Sequence, residues 1–174
     1  MKKPMKPKIF LGFPVYNRMV DMEIMSMVFH MTALQKYEMM VEIMCGPYID
    51  SNRNKMVEDF LKTDYEWLYF WDTDVVIQDP LFFDKMLETS EKLEAPIVSL
   101  AYVKKNEEGE YVHLKLNPDG GMPNYKLGEV GEPEHVICTG AGALLIHRSV
   151  LEEMTPPYFE INPSKLSIPY SLYP

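Results

Sequence analysis

Two aspartates separated by one residue, Asp72 and Asp74, stand where an apolar run, Leu68-Tyr69-Phe70-Trp71, gives way to polar sequence. Carboxylates at the end of a hydrophobic strand are costly unless they stay solvated or meet a cation. In extended backbone, residues i and i+2 point to the same side. Two hard oxygen ligands facing one way suit Mg²⁺ or Mn²⁺, which can bridge carboxylates to phosphate oxygens and offset charge developing on a departing diphosphate. The competing reading of Asp72-Thr73-Asp74 is a turn that simply caps the loop after the strand.

Alternating strand-like and helix-like segments must position this pair. Lys8 to Val15 is a β-branched and aromatic run read as a buried first strand. Val20, Ile24, Met27, Val28, Met31 and Leu34 have helical spacing, with Asn17 or Asp21 as N-cap. Met39 to Cys45 reads as a second strand, stopped by Gly46-Pro47, and a short helix is expected from Arg53 to Lys62. Trp67 to Trp71 is a compact strand running into the aspartates. Asp79-Pro80 supplies an N-cap and a first-turn proline for a helix to about Leu93. Ala95 to Val103 and Val136 to His147 are further strands, and Ser149 with Glu152 has capping-box spacing for a last helix. Between them, residues 104–135 form a polar connection rich in Gly, Pro and Glu, read as a lid or acceptor loop or as a disordered insertion.

This alternation implies one α/β domain, a mostly parallel central sheet covered by helices on both faces. Residues 8–160 would form it, between a flexible basic N-terminus, 1–7, and a Pro/aromatic-rich tail, 161–174. In such sheets ligands bind at the carboxyl ends of strands. Three segments therefore matter most: Pro14 to Asn17, Asp72 to Asp74, and Thr139 to Gly142.

At 174 residues the chain is long enough for a single well-buried core. A net charge of -9 disfavours nucleic acid, because an acidic surface repels phosphate backbones. The basic cluster Lys2, Lys3, Lys6 and Lys8 is interleaved with prolines and reads as a solvated terminus. Cys45 and Cys138 lie in apolar runs without close cysteine or histidine partners, so buried free thiols are expected. No apolar stretch approaches a membrane span, and the expected setting is cytoplasmic. His30, His113, His135 and His147 are scattered, without zinc spacing.

Leu68-Tyr69-Phe70-Trp71-Asp72-Thr73-Asp74-Val75, followed by Asp79-Pro80, resembles the Asp-x-Asp segment of GT-A-fold, family-2-like glycosyltransferases. Pro14-Val15-Tyr16-Asn17, Arg53-Asn54, Ile97-Val98-Ser99 and Thr139-Gly140-Ala141-Gly142-Ala143-Leu144-Leu145-Ile146 follow the order of that family's other motifs, over about Lys8 to Phe159. The resemblance implies a single GT-A (Rossmann-like) domain that moves a sugar from a UDP- or GDP-linked donor to an acceptor hydroxyl, assisted by Mn²⁺ or Mg²⁺. It implies that Pro14, Tyr16 and Asn17 touch the base or ribose and that Arg53 lies near the nucleotide or diphosphate. Asp72 would face the ribose or the metal, and Asp74 would ligate the metal. Thr139, Gly140, Ala141 and Gly142 would line the acceptor side. Without the resemblance, Tyr16 is as well read as core packing and Arg53 as a surface partner of Asp50 or Glu58.

The chain departs from the family after Ile146, where an acidic pair usually supplies the base. Beyond Phe159 only Glu160 is acidic, which leaves it as the candidate base. A module that binds a nucleotide sugar without turning it over is therefore a second reading. A haloacid-dehalogenase-type phosphohydrolase is a third, with Asp72 as nucleophile and Ser99 and Lys104 or Lys105 as partners. Against it, that motif normally closes a first strand, and here two strands precede it.

Overall fold

The computed structural model describes residues 6–16, 19–104, 109–114, 121–126, 129, 131–160 and 171–172. Strands β1 (Lys8–Val15), β2 (Glu38–Cys45), β3 (Trp67–Trp71), β4 (Ile97–Ser99) and β7 (Ala143–His147) form a five-stranded sheet in the order β2-β1-β3-β7-β4. β1 runs parallel to β2 and to β3, whereas β7 is antiparallel to both β3 and β4. The sheet is thus mixed but mostly parallel, as the alternating pattern predicts.

Apolar side chains of the central strands point alternately to two cores. Ile9, Leu11, Phe13, Tyr69, Trp71 and Leu145 pack beneath α1 (Met22–Leu34) and α3 (Phe82–Leu93). Phe10, Leu68, Phe70, Leu144 and Ile146 pack with α2 (Ile49–Leu61), α4 (Arg148–Glu153) and Tyr158-Phe159. Asp21 caps α1 by accepting from the Glu23 N–H at 2.8 Å.

Several boundaries differ from the sequence reading. α2 begins at Ile49, four residues before Arg53, because Tyr48 serves as its N-cap and Asn52 folds back onto the Gly46 carbonyl (3.2 Å). Asp79 accepts from the Leu81 N–H at 2.9 Å, but the helix proper starts at Phe82. The strand expected over Ala95 to Val103 is regular only at Ile97–Ser99, and the one expected from Val136 only at Ala143–His147. The expected capping box is replaced. His147 is the N-cap of α4, its Nδ1 accepting from the Ser149 N–H, while Glu152 pairs with Arg148. Cys45 is exposed and Cys138 half-buried, because β2 is an edge strand and Cys138 sits in a loop.

The polar connection is not structureless. β5 (Glu110–Leu114) and β6 (Asn124–Lys126) form an antiparallel pair, joined to the main chain by the Val103–Tyr111 and Leu114–Cys138 bridges. Lys104 reaches Glu110 at 3.0 Å and Asn124 at 2.6 Å across this unit. The basic start and the tail lie outside the described residues, except Lys6, Pro7 and the short β9 (Ser171–Leu172) that pairs with β8 (Phe159–Glu160). Among the described residues, no helix is long and apolar enough to cross a membrane.

Two polar side chains lock α2 in place. Asn54 accepts from the Tyr158 and Phe159 N–H groups and donates to the Phe159 carbonyl. Arg148 donates to the carbonyls of Tyr65, Phe60 and Thr63 at 2.7, 3.1 and 2.8 Å, closing the end of α2, and its guanidinium lies 4.6 Å from the Phe60 ring centre. Arg148→Met keeps the aliphatic stem but strands these acceptors. It should lower unfolding stability by about 2–4 kcal/mol in a urea titration. Glu152→Ala, which removes only the exposed end of the same ion pair, should leave the midpoint essentially unchanged.

Candidate functional site

β3 delivers Asp72 to the carboxyl end of the sheet, and the backbone turns there at once. The Asp72 N–H donates to the Gly142 carbonyl (2.8 Å), and the Val75 N–H donates to the Asp72 carbonyl (3.1 Å). Trp71 Nε1 donates to the Val75 carbonyl (2.7 Å), tying the turn back to the core. The extended geometry assumed for residues 72–74 is therefore replaced by a turn that leaves Asp72 half-buried and Asp74 exposed.

Arg53 is 3% exposed, and its Nη2 lies 2.7 Å from Asp72 Oδ1. Its guanidinium also stands 5.8 Å from the Phe70 ring centre and 5.9 Å from that of Phe159. A buried guanidinium requires such a partner, since an uncompensated charge in the interior is far more costly than a paired one. Arg53 is thus not a surface partner of Asp50 or Glu58. It fixes one oxygen of the first aspartate.

The other oxygen faces Gly142. A Cβ at Gly142 would lie 2.9 Å from Asp72 Oδ2 and 2.9 Å from the Tyr102 hydroxyl, and a Cβ at Gly140 only 2.2 Å from that hydroxyl. The two glycines of Thr139-Gly140-Ala141-Gly142 let a tyrosine from the segment after β4 reach the aspartate. The Tyr102 hydroxyl accepts from the Gly142 N–H at 2.9 Å. Burial raises the Tyr102 pKa, assisted by Asp72 and Asp74 and opposed by the Gly142 N–H and Arg53. Asp72, Asp74, Arg53 and Tyr102 thus share one electrostatic neighbourhood.

Pro14 is buried at the end of β1, past the last β1–β3 pair at Gly12 and Phe70, where a missing N–H is tolerated. Tyr16 follows it and is 76% exposed, which excludes a core-packing role. Asn17 lies outside the described residues. Thr139 is half-buried and donates to the Gly140 carbonyl (3.3 Å), while Ala141 packs into the second core. Glu160 follows Phe159, whose ring meets Arg53, but its own side chain is exposed. Among the described residues no hydrogen bond links it to either aspartate.

No family model matches the chain. No curated protein sequence matches it either. Among solved structures, it is similar to A197 from STIV, with a TM-score of 0.65 at 20% identity over 88% of this chain and 71% of that one. CMP:2-keto-3-deoxy-manno-octonic acid synthetase complexed with CTP is a looser neighbour, with a TM-score of 0.43 at 14% identity over 83% of this chain and 76% of that one. The likeness to A197 is one of fold.

Sequence reasoning missed Tyr102 because it lay inside an expected strand, Ala95 to Val103. The glycines at 140 and 142 were its signal, since glycine in a strand often marks close approach by another group. Of the phosphohydrolase set, the described members do not meet Asp72 through any hydrogen bond among the described residues. Lys104 is engaged by Glu110 and Asn124, Ser99 is turned to the Ala143 carbonyl and His113, and Lys105 lies outside the described residues.

Val75, Val76, Ile77, Asp79, Phe82, Lys85, Leu100 and Tyr102 line an open hollow of about 400 Å³, and neither Asp72 nor Asp74 is among its lining residues. A second hollow of about 390 Å³, around Lys36, Tyr37 and Asp84, is remote from this chemistry, lying beside Pro7 at the amino end of β1. His113 is buried behind the site, its ring centre 6.1 Å from that of Tyr102 and its Nε2 3.3 Å from Ser99 Oγ.

Gly142→Ala should force the Tyr102 hydroxyl and the Asp72 carboxylate apart. The expected cost is about 1–3 kcal/mol in chemical denaturation. A pH effect is also expected. Burial lowers the His113 pKa, so the unfolded chain takes up that proton first as pH falls below about 6.5. Stability present above that pH is then lost as pH falls through the lowered value. His113→Gln should flatten the difference in urea unfolding free energy between about pH 7.5 and pH 5.5.

Proposed function

We propose that this domain binds a nucleotide-diphosphate sugar, UDP- or GDP-linked, at the carboxyl end of its sheet and transfers the sugar to an acceptor hydroxyl. The observation that carries this reading is the convergence of Asp72, Arg53, Gly142 and Tyr102 at the end of β3, with Asp74 exposed in the adjoining turn.

The donor set suits a shared cation rather than a closed cage. Among the described residues, no three His, Cys, Asp or Glu side chains group to hold a metal. Mg²⁺ is commonly held by one or two carboxylates, with substrate phosphates and water completing its shell, and Mn²⁺ shares the preference for oxygen ligands. Asp74 brings an exposed carboxylate, and Asp72 brings a second whose Oδ1 meets Arg53. Mn²⁺ or Mg²⁺ bound there would offset charge on the leaving diphosphate.

The chain's own residues divide the remaining work. Tyr16 presents an exposed ring at the end of β1 for the base, and Pro14 shapes that strand end. Asn17 would add a polar contact to the ribose. Arg53 acts by orienting Asp72. In the transfer, the acceptor oxygen bonds to the anomeric carbon as the bond from that carbon to the diphosphate breaks. The diphosphate leaves with the electron pair, and the hydroxyl proton passes to a base, for which Glu160 is the candidate. Thr139 to Gly142 would face the acceptor.

Donor binding without transfer is the second reading. It is favoured by the exposure of Glu160 and its lack of any hydrogen bond to the aspartates among the described residues.

With Mn²⁺, a matching UDP- or GDP-sugar at about 100 times its Kd should raise the melting temperature by about 5–10 °C. Asp74→Asn should abolish the metal-dependent part of that shift. Release of UDP or GDP from the sugar nucleotide then separates transfer from binding alone. A panel with no Mn²⁺-dependent stabilisation by any of these ligands would end the proposal.

A further inference from the structure

Resting on that donor-site reading, we propose that Tyr102 is the residue that reads the sugar of the donor, by donating its hydroxyl proton to a sugar oxygen. Nothing in the motif set assigns this role, because Tyr102 lies between two motifs and belongs to neither.

The argument starts with the hydrogen-bond inventory of one hydroxyl. A phenol can accept and donate at once. The Tyr102 oxygen accepts from the Gly142 N–H at 2.9 Å, which fixes its position. Among the described residues its proton goes to no acceptor. The hydroxyl is also crowded into place, since Gly140 and Gly142 leave no room for a Cβ beside it. Two glycines and a backbone donor thus hold one phenol in a defined position. A phenol, with an ordinary pKa of about 10, is protonated and so a donor at neutral pH.

Its location along the sheet edge selects the sugar over the nucleotide. In the order β2-β1-β3-β7-β4, the exposed Tyr16 stands at the end of β1, Asp72 at the end of β3, Gly142 at the start of β7, and Tyr102 beyond β4. A ligand with its base against Tyr16 and its diphosphate at the aspartates extends its sugar towards β7 and β4. Tyr102 also lines the open hollow that it forms with Val75, Val76, Ile77 and Leu100, next in sequence to the aspartate turn. Arg53 approaches Asp72 from α2, whereas Tyr102 packs against the core beneath α1 and α3. The two residues therefore flank the aspartate from different sides, one committed to its carboxylate and the other carrying a proton to give.

The test compares a nucleotide sugar with its bare nucleoside diphosphate. Titration calorimetry with Mn²⁺ would measure UDP-glucose against UDP, and GDP-mannose against GDP, for the wild-type protein and Tyr102→Phe. The ring is kept, so packing is preserved. Affinity for the matching nucleotide sugar should fall about five- to tenfold, while that for the nucleoside diphosphate stays within about twofold. Gly140→Ala, whose added Cβ would displace the hydroxyl, should reproduce the loss and add little to it in the Tyr102→Phe background. An equal loss for both ligands would make Tyr102 a support for Asp72 instead, and no loss for either would remove it from the site. Both results overturn the assignment while leaving the donor site standing. A wild-type protein that binds none of the four ligands would overturn the donor site and the assignment together.

Discussion

A guanidinium buried to 3% exposure needs a carboxylate, and in this fold that carboxylate is Asp72 at the end of β3. The pair sets two constraints at once. It holds α2 against the second core, because Arg53 lies on the helix face that also carries Met56, Val57 and Phe60. It also holds the first aspartate at the sheet edge with one oxygen already committed. Phe70 and Phe159 frame the guanidinium with aromatic faces, and Asn54, the next residue on α2, fastens the backbone at Phe159. An ion pair in such a place is a poor device for stability alone, since well-packed apolar groups often do as well. Its better justification is orientation.

A separate constraint is the reversed strand. β4 ends at the carboxyl edge of the sheet, and β7, running antiparallel beside it, must begin at that same edge. The connection from Leu100 to Gly142 starts and finishes at the end of the sheet where the aspartates lie. A parallel strand in the β7 position would instead need a crossover back to the opposite edge. Reversal of one strand thus brings Tyr102 and the Gly140–Gly142 approach to Asp72.

Strands whose apolar runs were unbroken were legible in the sequence. Lys8 to Val15 and Trp67 to Trp71 match the observed spans, and Asp21 caps α1 as expected. What was not legible depended on partners distant in sequence. Val136 to Cys138 is apolar like a strand, yet β7 finds its first partner where β3 ends, at the Trp71–Ala143 pair, so regular structure begins at Ala143. His147 rather than Ser149 caps α4, because the chain leaves β7 directly into the helix. The thiol of Cys45 is exposed because β2 proved to be an edge strand, which no local pattern encodes. Spacing singles out the aspartates, but it does not give their geometry. A turn, not an extended segment, presents them, and a buried arginine and a tyrosine give the first its orientation.

Charge makes the proposed use of this site conditional on a cation. The chain carries -9 overall, and the Asp72, Asp74 and Arg53 group is itself net negative. The charge of Arg53 is already matched by Asp72, whose Oδ1 lies 2.7 Å from its Nη2. Coulomb attraction alone therefore gives a diphosphate no reason to settle beside these carboxylates. A divalent ion entering with the diphosphate reverses the sign of that balance. On this reading the arginine organises the carboxylate, the carboxylates select the ion, and the ion selects the diphosphate. Tyr102, uncharged and held by backbone, is then free to discriminate on the sugar alone.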